Sequence, residues 1–473
     1  MFITDLRVLI SVLVAIMLPL AVGVAIWRVL RRARTPQGSV AWVVFLLAAP
    51  WFALPAYLLF GHHKLHGFTK RRRASHQLMK TYGAYARTVQ PSRQRAAYRL
   101  YESISELTVV GGNRFELLID GAQTFPAIHE AIDAAESYVL VQYYTIADDE
   151  TGRALADRLI AAAQRGVEVR VLYDGVGSYS LPASYRDRLV KAGVTVLDPR
   201  AARGPTSRLQ INFRNHRKTV IIDGEIGFTG GLNVSDTYRG LNPEFGPWRD
   251  THLRLTGPTV AQLQLAYVED WHWATDETLG DKLQWTPPAL EDGADAVVVP
   301  SGPVDELDSG SLFYFSAINA ARERLWISSP YLVPDEEVMA ALKAAALRGV
   351  DVRVLVPEVR DHWLTWLAAF TYFDELRAAG VQIWRYQPGF VHQKVVVCDD
   401  DFAGVGTANL DNRSFRLNFE TMVAVFDERF AGEVAAMLEA DFEVSERLET
   451  SFDEQPLWLR AGARVTRLFS PVL

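Results

Sequence analysis

The segment Arg165-Gly166-Val167-Glu168-Val169-Arg170-Val171-Leu172 returns 183 residues later, at 348, as Arg348-Gly349-Val350-Asp351-Val352-Arg353-Val354-Leu355. Each copy sits in the same succession of strand, amphipathic helix and strand. In the first these are "SYVLVQYYTI" (137–146), "GRALADRLIAAAQRG" (152–166) and "VEVRVLYDGVGS" (167–178). In the second they are "RLWISSPYLV" (324–333), "EEVMAALKAAALRG" (336–349) and "VDVRVLVPEVRD" (350–361). A period this long means two homologous domains rather than a solenoid. A βαβ succession calls for a parallel sheet covered by helices. Between the copies, 284–310 is rich in Pro, Gly and acids, as an interdomain segment would be.

A second pair lies inside the same repeat. In "NHRKTVIIDGEIGFTGGLN" (215–233), His216 is followed by Lys218, Asp223, Gly230 and Asn233. In "VHQKVVVCDDDFAGVGTAN" (391–409), His392 is followed at the same offsets by Lys394, Asp399, Gly406 and Asn409. Taken singly, each residue has an ordinary explanation: a histidine at a strand start, Asp223-Gly224 as a hairpin turn, Asn233 as a helix cap. Duplication at fixed spacing removes those explanations for His and Lys. Residues two apart project from one face of a strand, so His216 and Lys218 share a face. Gly230 and Gly231 are expected to allow a tight turn that brings Asn233 back to the same end. Asp223 and Asp399 complete each motif, but stand at the far end of an apolar run, where a structural ion pair is the expected role.

Composition adds a membrane. No Lys, Arg, Asp or Glu lies between Arg7 and Arg28, or between Arg34 and the histidines at 62–63. A span takes about 20 helical residues, so both stretches are long enough, and a two-helix hairpin is expected. Seven basic residues (Arg7, Lys64, Lys70, Arg71, Arg72, Arg73, Lys80) flank its outer ends, against Arg28, Arg31, Arg32 and Arg34 in the connection. That bias places the C-terminal body in the cytoplasm. Residues 1–100 carry 15 Lys and Arg and one acid, Asp5, while the remaining 373 carry 34 basic and 55 acidic residues. The head is therefore +14 and the body −21, which suits a head on anionic headgroups and argues against a polyanion track on the body. The one cysteine, Cys398, rules out internal disulfides and reads as a buried thiol in a β-run.

Two His, two Lys and two Asn around one cleft suit phosphoryl transfer. Lysines and asparagines stabilise the non-bridging oxygens, neutral imidazole attacks phosphorus, and a protonated imidazole serves the leaving oxygen. Neither a carboxylate or His/Cys cage for a metal nor a glycine-rich phosphate loop is present in the sequence, so no cofactor is expected.

The paired His-x-Lys-x4-Asp motifs resemble the phospholipase D superfamily. "WRDTHLRLTGP" (248–258), "GTANLDNRSFRLNFE" (406–420), the terminal "RLFSPVL" (467–473) and the N-terminal apolar pair are similar to the bacterial cardiolipin synthases. The resemblance implies an α/β fold: two homologous phospholipase D-like βαβ domains around a shared active site, after a two-helix transmembrane hairpin. The expected boundaries are 1–61 for the hairpin, 62–104 for a basic linker, and 105–290 and 291–473 for the domains. It implies His216, Lys218, Asp223, His392, Lys394 and Asp399 as the catalytic set, with His216 as nucleophile. It also implies Asn233 and Asn409 at the phosphate, and Asp250 and Glu420 as acidic partners of the histidines, Asp250 following His216 and Glu420 following His392. Glu420 is thus expected to keep His392 protonated. Gly231 stands where relatives carry Ser, and Thr407 at the matching place in the second copy. The implied reaction joins two phosphatidylglycerols into cardiolipin and glycerol through a phosphohistidine, on an anionic phospholipid substrate at a cell membrane and without nucleic acid. A phospholipase D-type hydrolase is the alternative. The sequence leaves the oligomeric state open.

Overall fold

A computed structural model describes residues 2–32, 36–60, 95–202 and 213–473. The chain divides into two units, Met1–Ala74 and Ser75–Leu473, each taken by itself below. The basic run from Lys64 to Lys80, and most of the expected linker, lie outside the described residues.

In the N-terminal unit, one helix runs from Phe2 to Arg32. Its segment Val12–Arg31 is long and apolar enough to cross a membrane, and most of its side chains are exposed. The second apolar stretch is not the single continuous helix its composition suggests. It forms two shorter helices, Pro36–Ala48 and Pro50–Phe60. Pro50 lacks an amide proton and disfavours helical geometry at the residue before it, so the break falls at Ala49. Val22, Ala25 and Val29 of the long helix pack against Leu46, Ala53 and Tyr57.

The body is one large sheet made of two halves with the same strand order. From the centre outward, the first half runs Val110–Ile119, Thr251–Thr256, Ile226–Gly230, Thr219–Ile222, Tyr138–Tyr143, Glu168–Tyr173, Thr195–Leu197. The second runs Ala294–Ser301, Asn418–Phe426, Phe402–Gly406, Val395–Cys398, Arg324–Ser328, Asp351–Pro357, Gln382–Tyr386, with Ser445–Arg447 at its edge. The two innermost strands pair antiparallel, Val110 with Ala296 and Asn113 with Ala294, which fuses the halves. The duplication is thus visible strand by strand.

A wholly parallel sheet does not form. The βαβ strands pair in parallel, Tyr138–Tyr143 with Glu168–Tyr173 and Arg324–Ser328 with Asp351–Pro357. The strands following the motifs, Thr219–Ile222 and Val395–Cys398, pair antiparallel to these βαβ strands. Each is joined by a hairpin to its next strand, which pairs antiparallel as a direct connection without a crossover helix requires. Both sheet faces are covered, so Val395-Val396-Val397-Cys398 is apolar without alternation and wholly buried. Burial pushes the Cys398 thiol up to about 12, as expected of an inert structural cysteine.

Candidate active site

The histidines do not lie within the long strands. His216 follows a two-residue strand, Arg214–Asn215, and precedes Thr219–Ile222. His392 follows Phe390–Val391 and precedes Val395–Cys398. Each short strand pairs in parallel with a segment of the opposite half: Arg214 with Asn418 and Asn215 with Phe419, Phe390 with Trp248 and Val391 with Arg249. The ladders then carry one step further. The His216 amide donates to Phe419 O at 2.9 Å, and the His392 amide donates to Arg249 O at 2.8 Å.

That register decides the histidines' partners. The residue after Phe419 is Glu420, and the residue after Arg249 is Asp250. His216 Nδ1 lies 2.9 Å from both Glu420 carboxylate oxygens, and His392 Nδ1 lies 2.8 Å from Asp250 Oδ2. Both acids expected from the sequence are present, but the pairing is crossed. Glu420 of the second half orients His216 of the first, and Asp250 of the first orients His392. With Nδ1 engaged, Nε2 is the remaining nitrogen on each ring.

Each carboxylate is held in a matched way. Asn418, two residues before Glu420, donates to it at 3.0 Å. Trp248, two before Asp250, donates through its indole at 3.3 Å. Thr407 donates its hydroxyl to Glu420 at 2.6 Å, so it supports the acid. At Gly231, a Cβ would lie 1.9 Å from Asp250 Oδ1. The missing side chain therefore makes room for Asp250. Gly230 also has a role other than a tight turn. A Cβ there would stand 2.5 Å from His252 Cα, so glycine permits close approach of the neighbouring strand.

The buried lysines sit behind the histidines. Lys218 Nζ donates to the His216 carbonyl at 2.7 Å, and Lys394 Nζ donates to the His392 carbonyl. Burial lowers Lys218 to about 7 and Lys394 to about 8, against the pull of Glu420 and Asp250. Burial also lowers His216, with Glu420 opposing it and Lys218 adding to it. His392 falls well below its ordinary range through burial and the two lysines. It is therefore neutral at rest, contrary to the expectation that a carboxylate keeps it protonated. Burial opposes ionisation of Glu420, but His216, Lys218 and Thr407 outweigh it and hold its carboxyl below the usual range.

Asp223 and Asp399 lie at the other end of the motif strands. The Asp223 carboxylate accepts the backbone amides of Glu136, Ser137 and Tyr138. Asp399 accepts those of Arg322, Glu323 and Arg324. The partners are backbone amides of the adjacent strand's start, not the ion pair suggested by the sequence, and neither carboxylate reaches a histidine. Both residues have positive φ, 53° and 49°, as the tight hairpin requires.

A cavity of about 510 Å³ opens over the site, lined by His216, Asn233, His392 and Asn409. Asn233 accepts the Thr145 amide and donates to the Tyr238 hydroxyl at 2.7 Å. Asn409 Oδ1 is buried without a partner among the described residues, an acceptor that a bound hydroxyl could satisfy. Tyr144 packs edge-on to the His216 ring, and Tyr238 and Trp248 pack on His392. Tyr331, Asp361 and Arg413 also line the cavity and escaped the sequence reading. Asn418 and Trp248 were findable, since both precede a carboxylate by two. Tyr331 and Asp361 lie in the repeated segments 324–333 and 350–361, but outside the paired His-x-Lys motifs that marked the site.

A duplicated α/β body with paired histidine–lysine motifs on one cleft defines a phospholipase D-like domain pair. Residues 128–252 and 314–443 match the family described as cardiolipin synthase, PLD-like domain, and residues 20–62 match the phospholipase D-nuclease N-terminal family. The chain is 46% identical over 452 residues to cardiolipin synthase A of Pseudomonas aeruginosa (strain LESB58), covering 93% of this chain and 91% of that one. It is 44% identical over 460 residues to cardiolipin synthase A of Pseudomonas putida (strain ATCC 700007 / DSM 6899 / JCM 31910 / BCRC 17059 / LMG 24140 / F1), covering 95% and 96%. The chain belongs to the cardiolipin synthase family. Its fold is shared with the crystal structure of phosphatidylserine synthase from Haemophilus influenzae Rd KW20, at a TM-score of 0.60 and 14% identity, covering 80% of this chain and 100% of that one. With its apolar N-terminal helix, the chain is a membrane protein of this family.

Proposed function

We propose that the chain is a phosphatidyltransferase that converts two phosphatidylglycerols into cardiolipin and glycerol. The observation that carries the mechanism is the crossed pair of His–carboxylate hydrogen bonds across one cavity. Neutral His216, its Nδ1–H on Glu420, attacks the donor phosphorus through Nε2. Glu420 stabilises the positive charge that develops on the ring. The glycerol oxygen leaves with a proton from His392, forming phosphatidyl-His216. A second phosphatidylglycerol then offers its terminal hydroxyl, His392 takes that proton, and the hydroxyl oxygen displaces His216 from phosphorus. Because His392 is neutral at rest, its proton is taken up as the anionic donor binds and raises the pKa of the groups around it. Lys218 and Lys394 provide charge for the non-bridging oxygens, with Asn233 and Asn409 at the cavity wall. Asp223 and Asp399 fix the hairpins and take no part in proton transfer.

In this reading the body consists of domains 105–290 and 291–473 and lies in the cytoplasm behind two membrane crossings. The second crossing would be the kinked pair of helices from Pro36 to Phe60. A cysteine-labelling assay that reached residues beyond 100 only from outside the cell would overturn that orientation.

The reaction is tested by mass spectrometry of lipids after incubating purified protein with phosphatidylglycerol. Cardiolipin and free glycerol are expected. Phosphatidic acid as the main product would mean that water is the acceptor and the enzyme a hydrolase. With a nitrophenyl phosphodiester, the His392→Ala variant should trap the adduct on His216. An adduct on His392 in the His216→Ala variant would reverse the assignment.

A further inference from the structure

Among the described residues, the surface around the cavity mouth carries an exposed apolar face. In the body, sixteen large hydrophobic side chains are exposed among the described residues, and eight of them fall in two adjoining elements. Trp363 and Leu364 begin the helix Trp363–Arg377 and line the cavity. Leu457, Trp458, Val465, Leu468, Phe469 and Val472 belong to the helix Leu457–Arg467 and the turn after it. Trp458 meets Trp363 ring to ring at 6.4 Å, and Val472 also lines the cavity.

Helical spacing sorts the second element into two faces. Leu459, Ala463 and Thr466 are buried. At 100° per residue, Leu457, Trp458, Ala461, Val465 and Leu468 share the opposite, exposed side. The arginines 460, 464 and 467 flank this stripe, and no acid occurs from Gln455 to Leu473. In a body of net −21, this stretch is locally +3. Arg360 stacks on Trp363 at 3.8 Å, adding a cation at the rim. Tryptophan and leucine edged by arginine suit an interface between acyl chains and anionic headgroups better than a protein groove.

We propose that the Leu457–Leu468 face, with Trp363 and Leu364, docks the catalytic body on an anionic phospholipid bilayer, so that the cavity opens at headgroup level. This rests on the phospholipid-transferase reading above. It extends that reading by assigning membrane contact to the body itself, separately from the N-terminal helices. Docking would let a lipid reach His216 with its acyl chains still in the bilayer, avoiding their exposure to water at about 0.8 kcal/mol per CH₂.

The test uses full-length protein in proteoliposomes containing phosphatidylglycerol. Single cysteines at Leu457, Leu468 and Leu347 carry an environment-sensitive label, and Cys398, being buried, stays unlabelled. Leu347 is as exposed as the others, but precedes the strand Asp351–Pro357 at the end away from Asp361 in the cavity wall. That strand separates it from the cavity end by about 23 Å. Lipids with spin-labelled acyl chains should quench the Leu457 and Leu468 positions at least threefold more than Leu347. Equal quenching at all three would overturn the proposal, as would a disulfide between two copies at Leu468→Cys, which would show a second chain occupying the face. The quenching needs no turnover, so it stands or falls apart from the reaction. Leu457→Glu/Leu468→Glu should then raise the apparent KM for vesicle phosphatidylglycerol about tenfold, with turnover of a soluble nitrophenyl phosphodiester unchanged. Equal losses on both substrates would indicate damage to the fold rather than lost docking.

Discussion

Replacing Glu420 by Gln separates the crossed arrangement from the one suggested by sequence order. The glutamine keeps the shape of the side chain and a hydrogen-bond acceptor for His216 Nδ1–H, but removes the charge. In the proposed mechanism the His216 ring becomes cationic as it attacks phosphorus, and the carboxylate 2.9 Å away stabilises that charge. A hydrogen bond to a charged group contributes about 1.5–3 kcal/mol, which sets the lower bound. Coulomb's law at that distance, with an effective dielectric constant of about 20, gives about 6 kcal/mol as a ceiling. The buried site, with Thr407 and Asn418 still oriented toward position 420, places the loss near 2–4 kcal/mol, or about 30- to 1,000-fold in rate. The assay is single-turnover formation of the covalent adduct, with phosphatidylglycerol and with a nitrophenyl phosphodiester. Because the defect lies in the nucleophile, both donors should suffer alike. Asp250→Asn should differ, since it acts on His392, and the good leaving group should restore most of its rate. If instead the nitrophenyl donor rescued Glu420→Gln and not Asp250→Asn, the crossed assignment of roles would be refuted.

The two lysines should give an alkaline limit on substrate binding. A phosphodiester anion raises their pKa, so affinity is full below about 7 and falls as pH passes the free-enzyme values of about 7 and about 8. Each neutral lysine must then take up a proton at about 1.4 kcal/mol per pH unit, and calorimetry should record proton uptake on binding an unreactive analogue at pH 8. At the acid end, the lowered pKa of His216 keeps it neutral, so kcat/KM for the nitrophenyl donor should hold to below pH 6.5, and a fall beginning above that would contradict the assignment. Asp223→Asn should cost about 1–2 kcal/mol in stability through its amide contacts, measured by denaturant melts, while kcat of the folded fraction stays near wild type. Activity should survive EDTA; complete loss that one divalent ion restores would require a metal in the mechanism, whereas partial cation stimulation is expected from headgroup screening.

The sequence alone determined what is carried by local pattern and repetition. Identical offsets from His216 and His392 picked out the candidate site residues, because duplication is incompatible with chance punctuation. The βαβ periodicity gave the two halves, and the long uncharged stretch gave the N-terminal helix. Pro50 was equally visible, yet whether a proline kinks, ends or divides a helix depends on its surroundings, so the break at Ala49 was not foreseen. The sheet's mixed direction and the partners of the histidines were settled by tertiary pairing. Glu420 follows His392 by 28 residues, and proximity along the chain suggested the wrong histidine. Two short parallel ladders between the halves, ending in the His216 amide on Phe419 O and the His392 amide on Arg249 O, decide the matter. Such ladders depend on how two separately legible domains dock, and no periodicity within either domain records it. The same holds for the lysines. Their charge can be read from the sequence, but their lowered pKa comes from burial between the halves, which exists only once the fold has closed.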